Sequence, residues 1–301
     1  MKKLLCLFIL SFFTTNLFSN ISLAGILVLQ TDFGYKDSAV AEMKGVALQV
    51  DENIKIVDAT YDIEPYNIWN ASYRLFQVIR SFPEKTAFVS VVDPGVGSDR
   101  KSIVVKTKTN HYIITPDNGT ITAIDKEIGI VEAREIDETK HRLAGSEKSY
   151  TFYGRDVYVN TGAKLASGKI SFEEVGDKID IEKLIKFEYK LPIVSANRLS
   201  GIIPILDENY GNVWSNINRE MAKKFNLQQG KKYKVVIKQG NKVKYFGNVV
   251  YNNTFDNVKI GEPVLYINSL NCLSIALNQG DFAKKYNIKN GENWFFELSK
   301  Q

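Results

Sequence analysis

Two residues of opposite charge stand seven positions apart in the segment SVVDPGVGSDR, residues 90–100. Asp93 ends an apolar run, a Pro-Gly pair turns the chain, and Arg100 follows. Because such a turn folds the chain back on itself, the two side chains can pair. The pair is consistent with an ion bridge that braces the loop. It is equally consistent with an aspartate that Arg100 keeps ionised, so that the carboxylate orients and polarises a water.

Two further aspartates, Asp32 and Asp117, also follow apolar runs and precede turns that contain glycine. A single aspartate in such a place is most often a turn former or a helix cap. In an open parallel sheet, however, ligands bind beyond the carboxyl ends of the strands. Three aspartates at one edge therefore favour contact of at least one of them with a ligand. The chain contains no G-x-G-x-x-G or Walker motif, so binding of a nucleotide phosphate is not indicated.

Two other segments combine polar and aromatic residues in a way that suits a ligand. LDENYGNVWSNI, residues 206–217, offers the carboxylate of Asp207 for an ammonium and the amide of Asn212 for the edge of a base, although a plain β-turn explains it as well. TFYGRD, residues 151–156, places Phe152 and Tyr153 beside Gly154. These aromatic rings suit either stacking on a flat group or packing in the core.

The elements that must position these residues follow from the hydrophobic pattern. Apolar runs bounded by turn residues predict strands at 25–34, 53–60, 86–93, 102–108 and 111–117. Apolar residues three and four apart predict helices at 39–50, 67–82 and 155–168. This alternation predicts an α/β domain with a mostly parallel sheet over residues 25–190.

The pattern changes after about residue 190. A hairpin with Gly240-Asn241 at its turn, followed by short strands with no evident helix between them, predicts a smaller all-β domain over residues 191–301. The charged segment 176–192 is the predicted linker.

Residues 1–24 have the composition of a secretory signal peptide. Lys2 and Lys3 precede an apolar core, no further charge follows, and small residues lead to a cleavage site near Ala24. We therefore expect an exported protein, periplasmic or secreted, that is not attached to a membrane after cleavage.

Composition excludes several classes of function. Hydrophobic content of 44% and charged content of 24% are those of a globular protein. A net charge of +5, which becomes +3 without Lys2 and Lys3, is too weak to indicate nucleic-acid binding. The chain contains two histidines and two cysteines and no cluster of them, so no metal site is predicted.

Six motifs in order carry a family resemblance: TDFGYKDSAVAEMKG, VDPGVGSDR, TPDNGT, TFYGRDVY, DENYGNVWSNI and INSLNCLSIALNQG. Over residues 26–299 the chain resembles the S-adenosylmethionine hydrolases, also called S-adenosylmethionine hydroxide adenosyltransferases, which are related to fluorinase and chlorinase. The resemblance implies an N-terminal α/β domain and a C-terminal β-barrel-like domain. It also implies a homotrimer with the substrate at the subunit interface.

The resemblance assigns substrate contacts in the N-terminal domain. Asp32 is implied to hold the ribose 2′- and 3′-hydroxyls, a task that suits a carboxylate with two acceptor oxygens. Tyr66 stands where the halogenases place a tryptophan beside the ribose. Phe152 and Gly154 of the TFYGRD motif are further expected substrate contacts.

The other implied contacts lie in the C-terminal domain. Asp207 and Ser269 match positions that hold the methionine ammonium and carboxylate. Asn212 matches the amide that reads adenine, Phe255 matches an aromatic that packs on it, and Asn278 corresponds to a backbone contact with adenine.

The resemblance also distinguishes between nucleophiles. Asp93 and Arg100 match the water-activating pair of the hydrolases, whereas the halogenases have tyrosine in place of Asp93 and threonine in place of Val96. A carboxylate accepts a hydrogen bond from water and repels a halide. Attack at the ribose C5′ releases the neutral thioether of methionine from a sulfonium, so we expect no metal and no cofactor.

Three positions depart from the family pattern: the hydrolases have histidine where this chain has Tyr153, Asn271 replaces the usual glycine of S-x-G-x-L, and Leu277 replaces an arginine of the fluorinase. A phenol is a far weaker base than an imidazole at neutral pH, but it still positions a water by hydrogen bonding. The leading hypothesis is an exported hydrolase that converts S-adenosylmethionine to adenosine and methionine. Two alternatives stay open: a protein that binds adenosine or S-adenosylmethionine without turnover, and a halide adenosyltransferase, which Tyr153 favours and Asp93 opposes.

Overall fold

The computed structural model describes residues 25–300, so the predicted signal peptide lies outside the described residues. Within that range the first sheet has seven strands: β1 (Ile26–Thr31), β2 (Lys55–Thr60), β3 (Ala87–Val91), β4 (Ser102–Thr107), β5 (Tyr112–Pro116), β6 (Ile130–Glu135) and β7 (Lys178–Ile179). Their order across the sheet is β2-β1-β3-β5-β4-β6-β7.

Five of the seven strands of this first sheet run in one direction, as expected of the predicted α/β domain, although three of its six strand pairings are antiparallel. Strands β2, β1, β3 and β5 pair in parallel, β4 runs the other way, and β6 returns to the common direction before β7 opposes it. All five residues of β3 are buried, because helices cover the sheet on both sides. Such a strand reads as a continuous apolar run, which is why the sequence identifies it.

Helices pack on both faces of this sheet: α1 (Ala39–Val50), α2 (Ile68–Ile79), α3 (Thr122–Glu127), α4 (Glu138–His141) and α5 (Asn160–Ala166). Met43 of α1 and Ala163 of α5 pack with Leu29 on one face. Leu75 of α2 and Ile124 of α3 belong to the core of the other face. The result is a three-layer α/β/α arrangement, with the carboxyl ends of β1, β3 and β5 at one edge.

The second sheet, also within residues 25–300, has nine strands: β8 (Ile193–Val194), β9 (Arg198–Ile203), β10 (Ile205–Asp207), β11 (Asn212–Asn218), β12 (Lys232–Gln239), β13 (Lys242–Tyr251), β14 (Pro263–Ile267), β15 (Cys272–Leu277) and β16 (Gly291–Ser299). Their order is β10-β11-β15-β14-β13-β12-β16-β9-β8. The sheet curls into a half-barrel, so that strands near its two ends meet, and Ile202 N–H of β9 donates to Asn216 Oδ1 of β11 at 2.9 Å.

Two features of the second half differ from the sequence expectation. The region after residue 191 contains α6 (Arg219–Lys224) and α7 (Phe282–Tyr286), each shorter than two turns and therefore too short to show helical periodicity. The segment predicted as a linker contributes β7 to the first sheet and buries Leu184 and Tyr189 in the core.

The two sheets share packing and hydrogen bonds. Ile202 and Ile205 of the second sheet belong to the same apolar core as α2 and α3. Trp69 Nε1–H donates to Pro204 O at 2.8 Å, and Arg74 Nη2 donates to Leu206 O at 3.0 Å. The sheets are thus fixed relative to each other by contacts from α2. No helix within residues 25–300 is long and apolar enough to cross a membrane.

Candidate active site

Asp32 and Asp93 lie next to each other at the carboxyl edge of the first sheet. They follow β1 and β3, which pair in parallel up to Thr31 and Val91. Asp32 Oδ2 accepts a hydrogen bond from the Tyr66 backbone N–H at 2.9 Å, and Tyr66 adopts the left-handed conformation with φ 68°. This contact fixes the loop that carries Tyr66 beside the strand end.

The third aspartate of the sequence pattern serves another purpose. Asp117 follows β5 at the same edge, but its Oδ1 accepts from the Ile185 backbone N–H at 2.9 Å. It lines a separate cavity with Lys101 and Lys183. Of the three strand-end aspartates, Asp32 and Asp93 thus share a cavity, and Asp117 anchors the segment that leaves the first sheet.

Asp93 and Arg100 form a buried, two-pronged ion pair, as their spacing permits. Arg100 Nε–H donates to Asp93 Oδ1 at 2.7 Å and Nη2 donates to Oδ2. The two side chains are only 5% and 9% exposed, respectively. Burial raises the pKa of Asp93, and nearby Asp32 adds to the effect, although Arg100 and the Gly95 N–H oppose it. The carboxylate is therefore a better proton acceptor than an exposed aspartate.

The TFYGRD segment closes the cavity from the other side. Gly154 begins a π-helix that runs to Val159. Such helices are rare in proteins as a whole, and those that occur often lie at functional sites. A Cβ on Gly154 would lie 3.2 Å from the Phe33 ring, so a larger residue here would require that ring to move by a few tenths of an ångström. The Tyr153 ring centroid lies 5.4 Å from Arg100 Cζ. The three predicted catalytic residues are thus connected through Arg100, which contacts both Asp93 and Tyr153.

We call this space the N-terminal cavity. Its volume is about 240 Å³, and it is lined by residues from four loops: Asp32, Phe33, Pro65, Tyr66, Val91, Asp93, Val96, Thr151, Phe152, Tyr153 and Gly154. Every residue that the sequence assigns to the N-terminal part of the site lines it except Arg100, which reaches it through Asp93.

A second space, the C-terminal cavity, has a volume of about 710 Å³ and contains all the site residues predicted in the second domain. It is lined by Asp207, Asn209, Tyr210, Asn212, Trp214, Phe255, Tyr266, Asn268, Ser269, Leu277, Asn278, Gln279, Gly280 and Asp281. Asn212 Nδ2 donates to Asp207 Oδ2 at 3.0 Å, which fixes the orientation of both side chains.

Sequence reasoning missed part of the aromatic wall of this cavity. Trp214 Nε1–H donates to the Tyr266 hydroxyl at 3.1 Å, and the Phe255 ring meets the Tyr266 ring edge-on at 4.9 Å. Trp214 stands two residues after Asn212 in the GNVW motif, and this closeness to a predicted adenine contact could have identified it from the sequence. Tyr266 lies within an apolar strand and reads as core, so the sequence holds no signal for it.

The predicted site residues fall into these two groups and are not gathered in one place. Among the described residues, the two cavities share no lining residue. The N-terminal cavity offers a carboxylate–guanidinium pair suited to handling a proton. The C-terminal cavity offers aromatic faces, an amide and a carboxylate, which suit a flat heterocycle and an ammonium. Within residues 25–300, no cluster of three or more His, Cys, Asp or Glu side chains is arranged to hold a metal ion.

Comparison with known proteins gives matches over both halves. The family model of the SAM hydroxide adenosyltransferase N-terminal domain matches residues 27–176. The model of the C-terminal domain of the same family matches residues 201–295. The crystal structure of an uncharacterized conserved protein from Thermotoga maritima superposes with a TM-score of 0.82 at 31% identity, covering 91% of this chain and 100% of that chain.

Curated relatives carry two kinds of name. A fluorinase from Actinopolyspora mzabensis is 28% identical over 289 residues, which cover 88% of this chain and 95% of the relative. An (R)-S-adenosyl-L-methionine hydrolase from Methanocaldococcus jannaschii is 37% identical over 183 residues, 59% of this chain and 65% of the relative. A hydrolase of the same name from Thermus thermophilus is 27% identical over 267 residues, 87% of this chain and 95% of the relative.

Proposed function

The chain belongs to the SAM hydroxide adenosyltransferase family, and we propose that it hydrolyses S-adenosylmethionine to adenosine and methionine. The observation that carries this proposal is the buried Asp93–Arg100 pair at the end of β3, in contact with Tyr153. Relatives named (R)-S-adenosyl-L-methionine hydrolase support it.

In the proposed reaction, the oxygen of a water attacks the ribose C5′ while the bond from C5′ to the sulfonium sulfur breaks. The bonding pair goes to sulfur, which leaves as the neutral thioether of methionine. The water loses one proton and its oxygen becomes the 5′-hydroxyl of adenosine. Asp93 accepts that proton, and the raised pKa of its carboxyl makes it suited to do so. Because the substrate sulfonium is already a good leaving group, the proposal needs no cofactor.

The same carboxylate supports water over a halide as the nucleophile. Two like charges 4 Å apart repel by about 4 kcal/mol at the effective dielectric constant of a site near a protein surface. A halide at the end of β3 would meet repulsion from the Asp93 carboxylate, which the paired Arg100 guanidinium offsets in part. A water instead donates a hydrogen bond to the carboxylate and gains from it.

For substrate binding, we propose that Phe255 and Asn212 hold the adenine and that Asp207 and Ser269 hold the methionine ammonium and carboxylate, with Asn278 at the adenine edge. Asp32, Tyr66, Phe152 and Gly154 hold the ribose in the N-terminal cavity. These two sets line different cavities of one chain. The proposal therefore places each substrate between two subunits.

We propose a homotrimer as that assembly. An interface that joins the N-terminal cavity of one subunit to the C-terminal cavity of the next uses two different surfaces, and contacts of this kind form a closed ring when the rotation between neighbouring subunits closes. Exposed aromatic residues at both cavities support such a contact, since Tyr66 is 73% exposed and Tyr210 is 68% exposed. We also propose that the protein is exported, from the composition of residues 1–24.

A binding protein without turnover is the second candidate, and Tyr153 in place of the histidine of the hydrolases favours it. The test is incubation with S-adenosylmethionine, with and without chloride, followed by chromatography of the products. Adenosine with methionine supports hydrolysis, and 5′-chloroadenosine supports halide transfer. Tight binding of S-adenosylmethionine without product would overturn both enzymatic functions.

A further inference from the structure

A second arginine, Arg142, lies against the Tyr153 ring. Its Cζ is 4.6 Å from the ring centroid, closer than the 5.4 Å of Arg100. The Arg142 side chain is 10% exposed, so water screens this contact little. A guanidinium at this distance from an aromatic ring attracts it and restricts its orientation.

Arg142 is itself held by acceptors on two sides. Its Nη2 donates to Glu138 Oε2 at 2.5 Å, and its Nη1 donates to Ser149 O at 3.0 Å. The planar guanidinium presents donors in a fixed fork, so these two contacts define the plane that faces the ring. The tyrosine thus packs against a group whose own position is set by α4 and by the loop that precedes the TFYGRD segment.

Glu138, which pairs with Arg142, is also connected to the Asp93–Arg100 pair. Ser102 Oγ lies 3.0 Å from Glu138 Oε1 and 3.3 Å from the Tyr158 hydroxyl. The Tyr158 ring centroid is 5.8 Å from Arg100 Cζ. Contacts therefore run from Arg142 through Glu138, Ser102 and Tyr158 back to Arg100, and both arginines contact the Tyr153 ring.

We propose that Arg142, oriented by Glu138, is a positioning residue that sets the Tyr153 phenol toward the nucleophilic water. This inference rests on the proposed function, because it assumes that Tyr153 contacts the reacting water. Arg142 lines neither cavity. It acts through the tyrosine and does not touch the substrate. A brace for the loop alone would need the hydrogen bonds to Ser149 and Glu138 but no contact with the ring.

The first test compares three variants with the unchanged protein. Arg142→Met removes the guanidinium but keeps the length of the side chain, and Arg142→Lys keeps the charge. Lys140→Met is the matched control, because Lys140 lies in α4 two positions before Arg142, pairs with Asp137 at 2.8 Å and is 70% exposed. We expect Arg142→Met to lower kcat roughly tenfold with KM little changed, and Arg142→Lys to recover part of the loss. Lys140→Met leaves both unchanged.

A double-mutant cycle separates positioning from bracing. In a Tyr153→Leu background there is no ring to orient, so adding Arg142→Met lowers the remaining kcat less than about twofold. An equal, roughly tenfold loss in both backgrounds would show that Arg142 supports something other than Tyr153 and would overturn the proposal. Glu138→Gln, which keeps a hydrogen-bond acceptor, gives a smaller loss of the same kind and serves if Arg142→Met does not fold.

A readout without turnover keeps this inference separate from the proposed hydrolysis. The near-ultraviolet circular dichroism of Tyr153, obtained by subtracting the spectrum of Tyr153→Leu, reports how rigidly the ring is held. We expect Arg142→Met to diminish that difference signal and Lys140→Met to preserve it. If the unchanged protein does not hydrolyse S-adenosylmethionine, the proposed function fails, and this signal still tests the contact. An unaltered signal in Arg142→Met contradicts it.

Discussion

Asp93 and Arg100 meet side by side: Arg100 Nε–H lies 2.7 Å from Asp93 Oδ1, and Nη2 contacts Oδ2. Both side chains are almost fully buried. A buried pair of this kind contributes little to folding by itself, because the cost of removing both charges from water offsets their attraction. Its position at the end of β3, beside Asp32 and Tyr153, makes a role in proton handling the more economical explanation.

Replacing Asp93 tests that role directly. Asp93→Ala should lower kcat by about 10²–10⁴-fold, the usual contribution of a general base. Adenosine binding, measured by calorimetry, should persist, because most expected adenosine contacts lie elsewhere. Asp99→Ala is the control, since Asp99 is an exposed acid in the same loop. Full activity of Asp93→Ala would exclude the proposed base.

The pH profile gives a second test. Burial raises the pKa of Asp93 despite the opposing effect of Arg100. Activity requires the ionised carboxylate, so kcat/KM should fall with decreasing pH at a midpoint above the ordinary aspartate value of about 3.9. Arg100→Met removes an effect that lowers the pKa and should move the midpoint to higher pH. A midpoint at or below the ordinary value contradicts the assignment.

The raised pKa of Asp93 also makes the stability of the fold depend on pH. A carboxyl with a raised pKa in the folded state binds its proton more tightly there than in the unfolded chain. Its contribution to the free energy of unfolding is therefore largest when it is protonated. That contribution declines as the pH rises from the ordinary aspartate value through the raised one.

Tyr153 stands where the expected hydrolase pattern has histidine. Tyr153→His restores an imidazole beside Arg100 and Asp93, and a base of that kind accepts a proton near neutral pH. We expect kcat, measured by adenosine release, to stay the same or to rise. A collapse of kcat with adenosine binding intact would show that the phenol has a chemical role that imidazole does not replace.

The sequence predicted the parts of this fold whose pattern is long and regular. Buried strands such as β3 and the twelve-residue helix α2 are visible because their apolar residues recur over many positions. The Asp93–Arg100 contact was expected, but the sequence left open whether the pair braces the loop or handles a water, because seven residues around a turn permit pairing without requiring burial. The short helices α6 and α7 contain too few residues for periodicity.

Other parts of the site depend on tertiary contacts that the sequence does not encode locally. Tyr266 stands in the apolar strand β14, where the sequence pattern is that of a core residue. Only the folded sheet shows that it lines the C-terminal cavity. Arg142 precedes the TFYGRD segment by nine positions, and its contact with Tyr153 depends on how the intervening loop folds back. Asp117 looked equivalent to Asp32 in sequence, but its carboxylate binds the Ile185 N–H.

The aromatic wall of the C-terminal cavity predicts a measurable contribution to adenosine binding. Phe255→Ala should weaken binding about tenfold or more, because stacking of an aromatic side chain on a base contributes about 1–3 kcal/mol. Phe246→Ala is the matched control: Phe246 is 61% exposed on β13 and does not line the cavity. Equal affinities of both variants in calorimetry would place the adenine elsewhere.

The two separate cavities predict complementation between inactive variants. Asp93→Ala damages the N-terminal cavity, and Asn212→Leu damages the C-terminal one, so each homo-oligomer should be inactive or nearly so. When the two chains are co-expressed with different tags and purified for both, mixed oligomers contain interfaces at which both cavities are intact. Such a preparation should regain a substantial fraction of the kcat of the unchanged protein. A site formed within one chain predicts no recovery, because every chain then carries a damaged half, and that result would overturn the shared-site proposal while leaving the role of Asp93 in place.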